Sequence, residues 1–522
     1  MRRGLRLVLA GTAITLATTS SMSASTMSPV AGPGWVGSAP QPLSTTLHLP
    51  GLSTGDPTQP ASARPNIIFV LTDDLSWNLI KYMPYVRKLQ AQGATFTNYF
   101  VSDSLCCPSR TSIFTGLLPH NNGVYRNTGS DGGFNAFLAH GDQSKCYAAA
   151  LQRQGYVTGM MGKYLNGYQP ANSYLGQVPY IPPGWSAWDV ADGHGYNEYG
   201  YTLAVGHQLG QWGSAPRDYL TSVLNTKAHE FVAASARAKR PFMLELATFA
   251  PHLPFVPAPQ DVHKFPGLKA PRSGSFGRAV ANAPPWLKRI PPLTAANKRG
   301  IDRSFRLRVQ DMQSVDRMVA SLEQQLKRLG VAKNTYLVFS SDNGFHLGEH
   351  DLRQGKQTAF DTDIRVPLIV VGPGVRAGST IPDLAENIDL APTFETMAGL
   401  TPPVTMDGHS LTPLLAGAHP SRWRSAVLIE HHGPDLVPAD PDYQPPYSGN
   451  PPSYEAIRTR RYLYVEYRDG EHEFYDLRRD PNELANRYAS MPVALRNRLQ
   501  ATLTHLEHCS GTTCFQPLAG SQ

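Results

Sequence analysis

Residues 67–71, Ile-Ile-Phe-Val-Leu, are apolar without a break and partly β-branched. A strand with one wet face alternates apolar and polar positions, so an unbroken run of this length predicts a parallel strand covered on both faces. Two carboxylates, Asp73 and Asp74, follow at its C-terminal end. The pattern returns in the strand candidate that starts at Thr335 and runs into Asp342-Asn343-Gly344, and again in RVPLIVVGPG, residues 365–374. Between these runs, residues 83–93 and 309–330 carry apolar positions at helical spacing and each closes on a glycine. Residues 156–164 and 241–249 read as further strands. Such alternation predicts an α/β fold, a large and mostly parallel central sheet with helices on both faces. Sites in sheets of this kind form beyond the carboxyl ends of the strands.

From about residue 420 the texture changes. Three short strand candidates, SAVLIEHH, YEAIRTRRYLYVEY and EHEFYDLR, are separated by turn signals such as Asp469-Gly470, which predicts a smaller antiparallel sheet. Residues 480–506 then supply a terminal helix. The trio Arg458, Arg460 and Arg461 reads as strand surface. The expected organisation is a catalytic domain over 64–419 and a C-terminal subdomain over 420–522.

The 522 residues are 41% hydrophobic with 5 Cys, which excludes a disordered chain, a disulfide-dense miniprotein and a polytopic membrane protein. The start reads as an address: MRRGLR, an apolar run from Leu7 to about Thr18 and a small-residue stretch fit a secretory signal over residues 1–25. Adjacent Arg2 and Arg3 also permit twin-arginine export, so the route stays open. The apolar run is shorter than the roughly 20 residues of a spanning helix, so a secreted or cell-envelope location without stable membrane insertion is expected. Residues 26–63, rich in Ser, Thr, Pro and Gly, read as a flexible leader. The formal charge of +7 falls to +4 (44 − 40) once Arg2, Arg3 and Arg6 leave with the signal. This mild excess favours an anionic partner, and no nucleic acid is expected.

Residues 106–116, Cys-Cys-Pro-Ser-Arg-Thr-Ser-Ile-Phe-Thr-Gly, closely resemble the signature of the type I sulfatases of the alkaline phosphatase superfamily. In that signature a Cys followed at the second and fourth positions by Pro and Arg is oxidised to formylglycine (3-oxoalanine). The resemblance makes Cys106 the modified residue, implies a formylglycine-generating enzyme as maturation partner, and leaves four cysteines, Cys107, Cys146, Cys509 and Cys514. Cys509 and Cys514 form the more plausible bridge, and a Cys107–Cys146 bond stays open.

The same resemblance implies one calcium ion held by Asp73, Asp74, Asp342, Asn343 and the residue made from Cys106, since hard oxygen donors suit this cation. It implies catalytic roles for Arg110 and Lys163 around the nucleophile, and for His252 and Lys356 around sulfate, with Asp342 placed to take the nucleophile's proton. His346 and His350 have the spacing of a zinc pair, but Gly348 lies between them and no third ligand declares itself, so they read as loop residues. One departure stands out. Many arylsulfatases have a His two places after the Lys equivalent to Lys163, where this chain has Leu165 followed by Asn166. The group that regenerates the aldehyde is therefore open. GKYLN and LCCPSR instead resemble the N-acetylglucosamine-6-sulfatase and extracellular heparan 6-O-sulfatase branch.

The expected reaction is hydrolysis of a sulfate ester on a sulfated carbohydrate or an aryl sulfate. Two alternatives stand beside it: a phosphate or phosphonate ester hydrolase of the same superfamily, and a non-catalytic binder of sulfated glycans if Cys106 stays a thiol. Between Asp261 and Arg308, eleven Lys+Arg face two Asp, and this stretch reads either as the lining of a polysaccharide cleft or as a solvated insertion.

Overall fold

A computed structural model describes residues 64–515 of the chain. The signal and leader readings, which concern residues 1–63, lie outside the described residues. The central sheet has eight strands: β1 (Asn66–Thr72), β2 (Ala94–Phe96), β3 (Val157–Gly162), β4 (Ala187–Val190), β5 (Phe242–Ala247), β6 (Thr335–Ser341), β7 (Leu368–Val371) and β8 (Ser379–Ile381). Their order across the sheet is β8-β2-β7-β6-β1-β5-β3-β4. β1 lies at the centre, parallel to β5 on one side and β6 on the other, with Val70 opposite both Leu246 and Phe339.

Period-two geometry sends alternate β1 side chains to opposite faces, which explains why the whole run must be apolar. Ile67, Phe69 and Leu71 enter one core with Phe114 and Phe394, and Phe69 meets Phe394 at 5.2 Å between ring centroids. Ile68 and Val70 enter the other core with Leu224, Phe231, Val309 and Met312. The first core is roofed by α1 (Cys106–Thr115), and the second by α2 (Leu220–Arg237) and α3 (Ala295–Arg328). Helices thus cover both faces.

Three expectations are corrected. The strand read from RVPLIVVGPG is antiparallel to its neighbours β6 and β2, so the sheet is mixed on that side. The helix expected over 309–330 is α3, which starts at Ala295, because Thr294 accepts a hydrogen bond from the Asn297 N–H and caps it 14 residues earlier (309 − 295). Arg458 is buried rather than on the strand surface, and its guanidinium forks onto both Asp361 oxygens at 2.8 and 3.0 Å.

The C-terminal sheet is antiparallel with four strands, β9 (Ala426–His431), β10 (Tyr454–Thr459), β11 (Tyr462–Tyr467) and β12 (His472–Asp476), because the long middle candidate turns back at Arg460-Arg461. α4 (Val493–Leu506) packs Leu499 and Leu503 into a cluster with Ile457 and Tyr464. Cys509 and Cys514 are disulfide-bonded, whereas Cys107 and Cys146 are free and buried. The segment between β9 and β10 carries no helix or strand, and it reaches back toward the central sheet.

Candidate active site

Four adjacent strands of the central sheet, β6, β1, β5 and β3, end beside one another, and each hands its next residues to the same place. β6 supplies Asp342 and Asn343, β1 supplies Asp73 and Asp74, the segment after β5 supplies His252, and β3 supplies Lys163. Asp74 takes a left-handed φ of 65°, an unusual conformation for a non-glycine residue, and its N–H donates to Asp342 Oδ1 at 3.1 Å. Gly162 ends β3 at φ +99°, where a Cβ would stand 1.8 Å from the Ala247 carbonyl oxygen, so only glycine lets β3 close on β5 and present Lys163.

Cys106 opens α1 and is fully buried. Its Sγ lies 3.2 Å from Asp73 Oδ1 and 2.9 Å from Lys356 Nζ. Burial pushes its thiol well above the ordinary range, and the Asp442 and Asp73 carboxylates push the same way. One turn on, Arg110 donates from Nε to Asp342 Oδ2 and from Nη1 to the Lys163 carbonyl, both at 2.8 Å. Lys163 Nζ donates to Asp73 Oδ2 at 2.6 Å and lies 4.9 Å above the Tyr196 ring. All nine site residues expected from the sequence, Asp73, Asp74, Cys106, Arg110, Lys163, His252, Asp342, Asn343 and Lys356, fall in this one buried cluster.

Atoms of Asp73, Asp74, Cys106 and His252 of the kinds that could ligate a metal lie within 4.8 Å of one another. Asn343 donates from Nδ2 to Asp74 Oδ1 at 2.6 Å, while its Oδ1 is buried without a partner. An orphaned carbonyl oxygen beside two buried carboxylates is the donor chemistry that a hard divalent cation completes. Asp342 contributes differently from expectation. Its oxygens are taken by Arg110 and by the N–H groups of Asp74 and Asn343, and the carboxylate against Cys106 is Asp73. Burial raises the Asp73 carboxyl; burial acts the same way on Asp342, but Arg110, Lys163 and Lys356 outweigh it and hold that carboxyl low.

One participant, Asp442, had no signal in the sequence, and another, Arg308, had only the general basic character of its stretch. Asp442, in the segment between β9 and β10, sets Oδ1 2.7 Å from His252 Nε2 and 2.6 Å from Lys356 Nζ. Burial opposes its charge, but Lys356 and His252 hold its carboxyl well below the usual range. Arg308 lies beneath the site, donates to the Asp74 carbonyl and covers the Phe345 ring at 4.1 Å. It is one of the eleven basic residues. Others of that set are neutralised locally, Lys264 by Asp261 and Arg272 by Asp302, while Arg303 borders a groove of about 550 Å3 that also touches Leu253. His346 and His350 do not pair on a metal: His346 bonds Asp363 and the Ser448 carbonyl, and His350 bonds the Asn482 carbonyl and stacks on Phe360.

A cavity of about 410 Å3 opens beside Lys163, walled by Asn166, Asp192, Tyr196, Phe249 and Asp440. It offers aromatic faces and hydrogen-bonding groups together, a lining suited to a polar ring. Among the described residues, no helix is long and apolar enough to cross a membrane.

Comparison with known proteins gives matches over most of the chain. The family described as Sulfatase matches residues 65–400, and the family described as N-sulphoglucosamine sulphohydrolase, C-terminal, matches residues 348–508. The chain is 35% identical over 482 residues to the human protein named N-acetylglucosamine-6-sulfatase, covering 87% of this chain and 86% of that one. A solved structure described as in complex with its substrate D-glucosamine-2-N,6-O-disulfate superposes with a TM-score of 0.69 at 22% identity, over 84% of this chain and 97% of that one. The phosphonate monoester hydrolase of Agrobacterium radiobacter shares the fold with a TM-score of 0.64, also at 22% identity, over 85% of this chain and 96% of that one.

Proposed function

The chain belongs to the sulfatase family of sulfuric ester hydrolases, and from that premise we propose that it removes 6-O-sulfate from glucosamine-type sugars, using a formylglycine made from Cys106 and one calcium ion. The observation that carries this reading is the position of Cys106: buried, at a helix start, with Asp73 on one side and Lys356 on the other, at the convergence of four strand ends. The 35% identical human relative named for the glucosamine 6-sulfate ester supports the substrate class.

Asp73, Asp74, Asp342 and Asn343, with the oxygen that replaces Cys106 Sγ, would hold the calcium ion. Formylglycine hydrate supplies an oxygen nucleophile with a second geminal hydroxyl able to expel sulfate, and calcium supplies Lewis-acid polarisation of a sulfate oxygen. The chain's own side chains do the rest. Asp73 Oδ1, 3.2 Å from Cys106 Sγ, accepts the nucleophile's proton. Arg110 and Lys163 brace that carboxylate and steady negative charge beside it. Lys356 Nζ holds a sulfate oxygen. His252 donates from Nδ1 to the Leu253 carbonyl at 2.7 Å, so its protonated form keeps an Nε2–H facing the cluster for the leaving oxygen. Maturation requires a formylglycine-generating enzyme, and residues 1–25 direct secretion.

Side-by-side assay of 6-O-sulfo-N-acetylglucosamine, an aryl sulfate and a phosphate monoester tests this. The sulfated sugar is expected to give the highest kcat/KM; a higher value for the phosphate ester would favour the hydrolase class that shares this fold.

A further inference from the structure

Both sulfate-side cations are already engaged by groups of the chain itself. Lys356 Nζ hydrogen-bonds Asp74 Oδ1 at 2.6 Å and Cys106 Sγ at 2.9 Å, and forms an ion pair with Asp442 Oδ1 at 2.6 Å. His252 uses Nδ1 on the Leu253 carbonyl and Nε2 on the same Asp442 oxygen. Asp442 Oδ1 stands within 2.7 Å of both cations, a position from which one sulfate oxygen could be held by the two together. The exchange conserves charge, because one carboxylate leaves and one sulfate monoester, also a single negative charge, arrives.

The segment that carries Asp442 is built to be held by polar contacts and not by a core. Residues 433–453 contain no helix or strand. Asn127 Nδ2 donates to Asp442 Oδ2 at 2.5 Å, the Asp442 N–H donates to Asp440 Oδ1 at 2.9 Å, and Gln357 and Gln444 both donate to the Asp442 carbonyl. Its outer side shows Leu436 and Val437 to solvent. Val437 and Asp440 also form, with Thr128, the shared wall between the 410 Å3 cavity and a second one of about 430 Å3. A ring bound beside Lys163 therefore presses on the same segment that carries Asp442.

We propose that Asp442 is a specificity-determining residue: its carboxylate occupies the seat of the substrate's sulfate between Lys356 and His252, and is displaced only by esters whose organic part also fills the adjoining cavity. This rests on the reading of Lys356 and His252 as sulfate-side groups. The consequence is discrimination against small anions, since inorganic sulfate or methyl sulfate must compete with an internal carboxylate without ring contacts to help.

The test measures inorganic sulfate binding to the full-length, calcium-loaded protein by calorimetry, in the wild type and in Asp442→Asn, which keeps the shape and the Asn127 bond but removes the charge. Sulfate is expected to bind the variant on the order of tenfold or more tightly, because the two cations lose their internal anionic competitor. The KM for methyl sulfate should fall with it, while that for the sulfated sugar falls less. Unchanged or weaker sulfate binding would overturn the proposal and leave Asp442 as a positioning residue for His252. Should Asp442→Asn fail to fold, Asp442→Ala is read by the same criterion. The measurement needs no turnover, so tighter sulfate binding by a protein that hydrolyses no sulfate ester would fault the proposed reaction and leave this inference standing.

Discussion

Lys356 Nζ is fully enclosed among Asp74, Asp442 and Cys106, and although burial opposes its charge, the Asp442 and Asp74 carboxylates hold it protonated. Removing one partner of such a cluster leaves uncompensated buried charge, so Lys356→Ala is expected to cost about 3–5 kcal/mol of stability. The same change should lower kcat/KM by about 10²-fold or more, through loss of a preorganised cation. Melting temperature and steady-state kinetics read the two effects separately. His350 behaves in the opposite sense. Its Nε2–H donates to Asn482, its Nδ1 has no partner, and burial pushes it down to about 4. A proton added there would be buried without an acceptor. The unfolded chain takes up that proton near 6.5 and the folded one near 4, so the stability from neutral His350 is complete above pH 6.5 and is lost as pH falls toward 4. Wild type should therefore lose melting temperature between pH 7 and pH 5 more steeply than His350→Phe; parallel curves would contradict this. At this scale the sequence was informative wherever a motif surrounded the residue, as with Cys106 and Arg110. Asp442 has no such frame. It lies in a Pro-rich segment with no periodicity, and only the return of that segment over the strand ends brings it to Lys356.

The strand ends are the elements that set the site, and Gly162 is where their packing is tightest. Gly162→Ala would force a Cβ against the Ala247 carbonyl in a conformation that disfavours side chains, at an expected cost of about 3 kcal/mol. Because Lys163 is the next residue and its N–H bonds the Ala247 carbonyl at 2.9 Å, activity should fall further than melting temperature alone explains. A variant with wild-type stability and kinetics would show that β3 and β5 can separate without cost. β1, β3, β5, β6 and β7 were legible from runs of mostly apolar residues, whereas β2, β4 and β8, three or four residues long, gave no such run. Direction was not legible: β7 is as unbroken an apolar run as residues 67–71 of β1, yet it runs antiparallel to its neighbours. The early part of α3 was not legible, although Thr294 and Asn297 already spell an N-terminal cap, because residues 295–308 are mostly basic and polar and carry few apolar positions at helical spacing.

Across the whole molecule, four buried carboxylates, Asp73, Asp74, Asp342 and Asp442, face Arg110, Lys163, Lys356 and His252. Three of these carboxylates, with Asn343, adjoin the strand ends where calcium is proposed to bind. Exhaustive chelation is expected to lower the melting temperature, with calcium restoring it; at a concentration about 100-fold above Kd the ion would contribute about 2.7 kcal/mol. A melting temperature indifferent to chelation would remove the metal from the account. The C-terminal sheet is tied to the strand-end cluster, since the segment between its first two strands delivers Asp442 to it and Arg458 clamps Asp361. The central claim is that Cys106 does not act as a thiol. Its most direct test is the mass of the peptide containing Cys106, taken from enzyme that is releasing inorganic sulfate. Conversion to the aldehyde, or to its hydrate, is predicted in the active fraction. An intact thiol in protein that releases sulfate at full rate would contradict it.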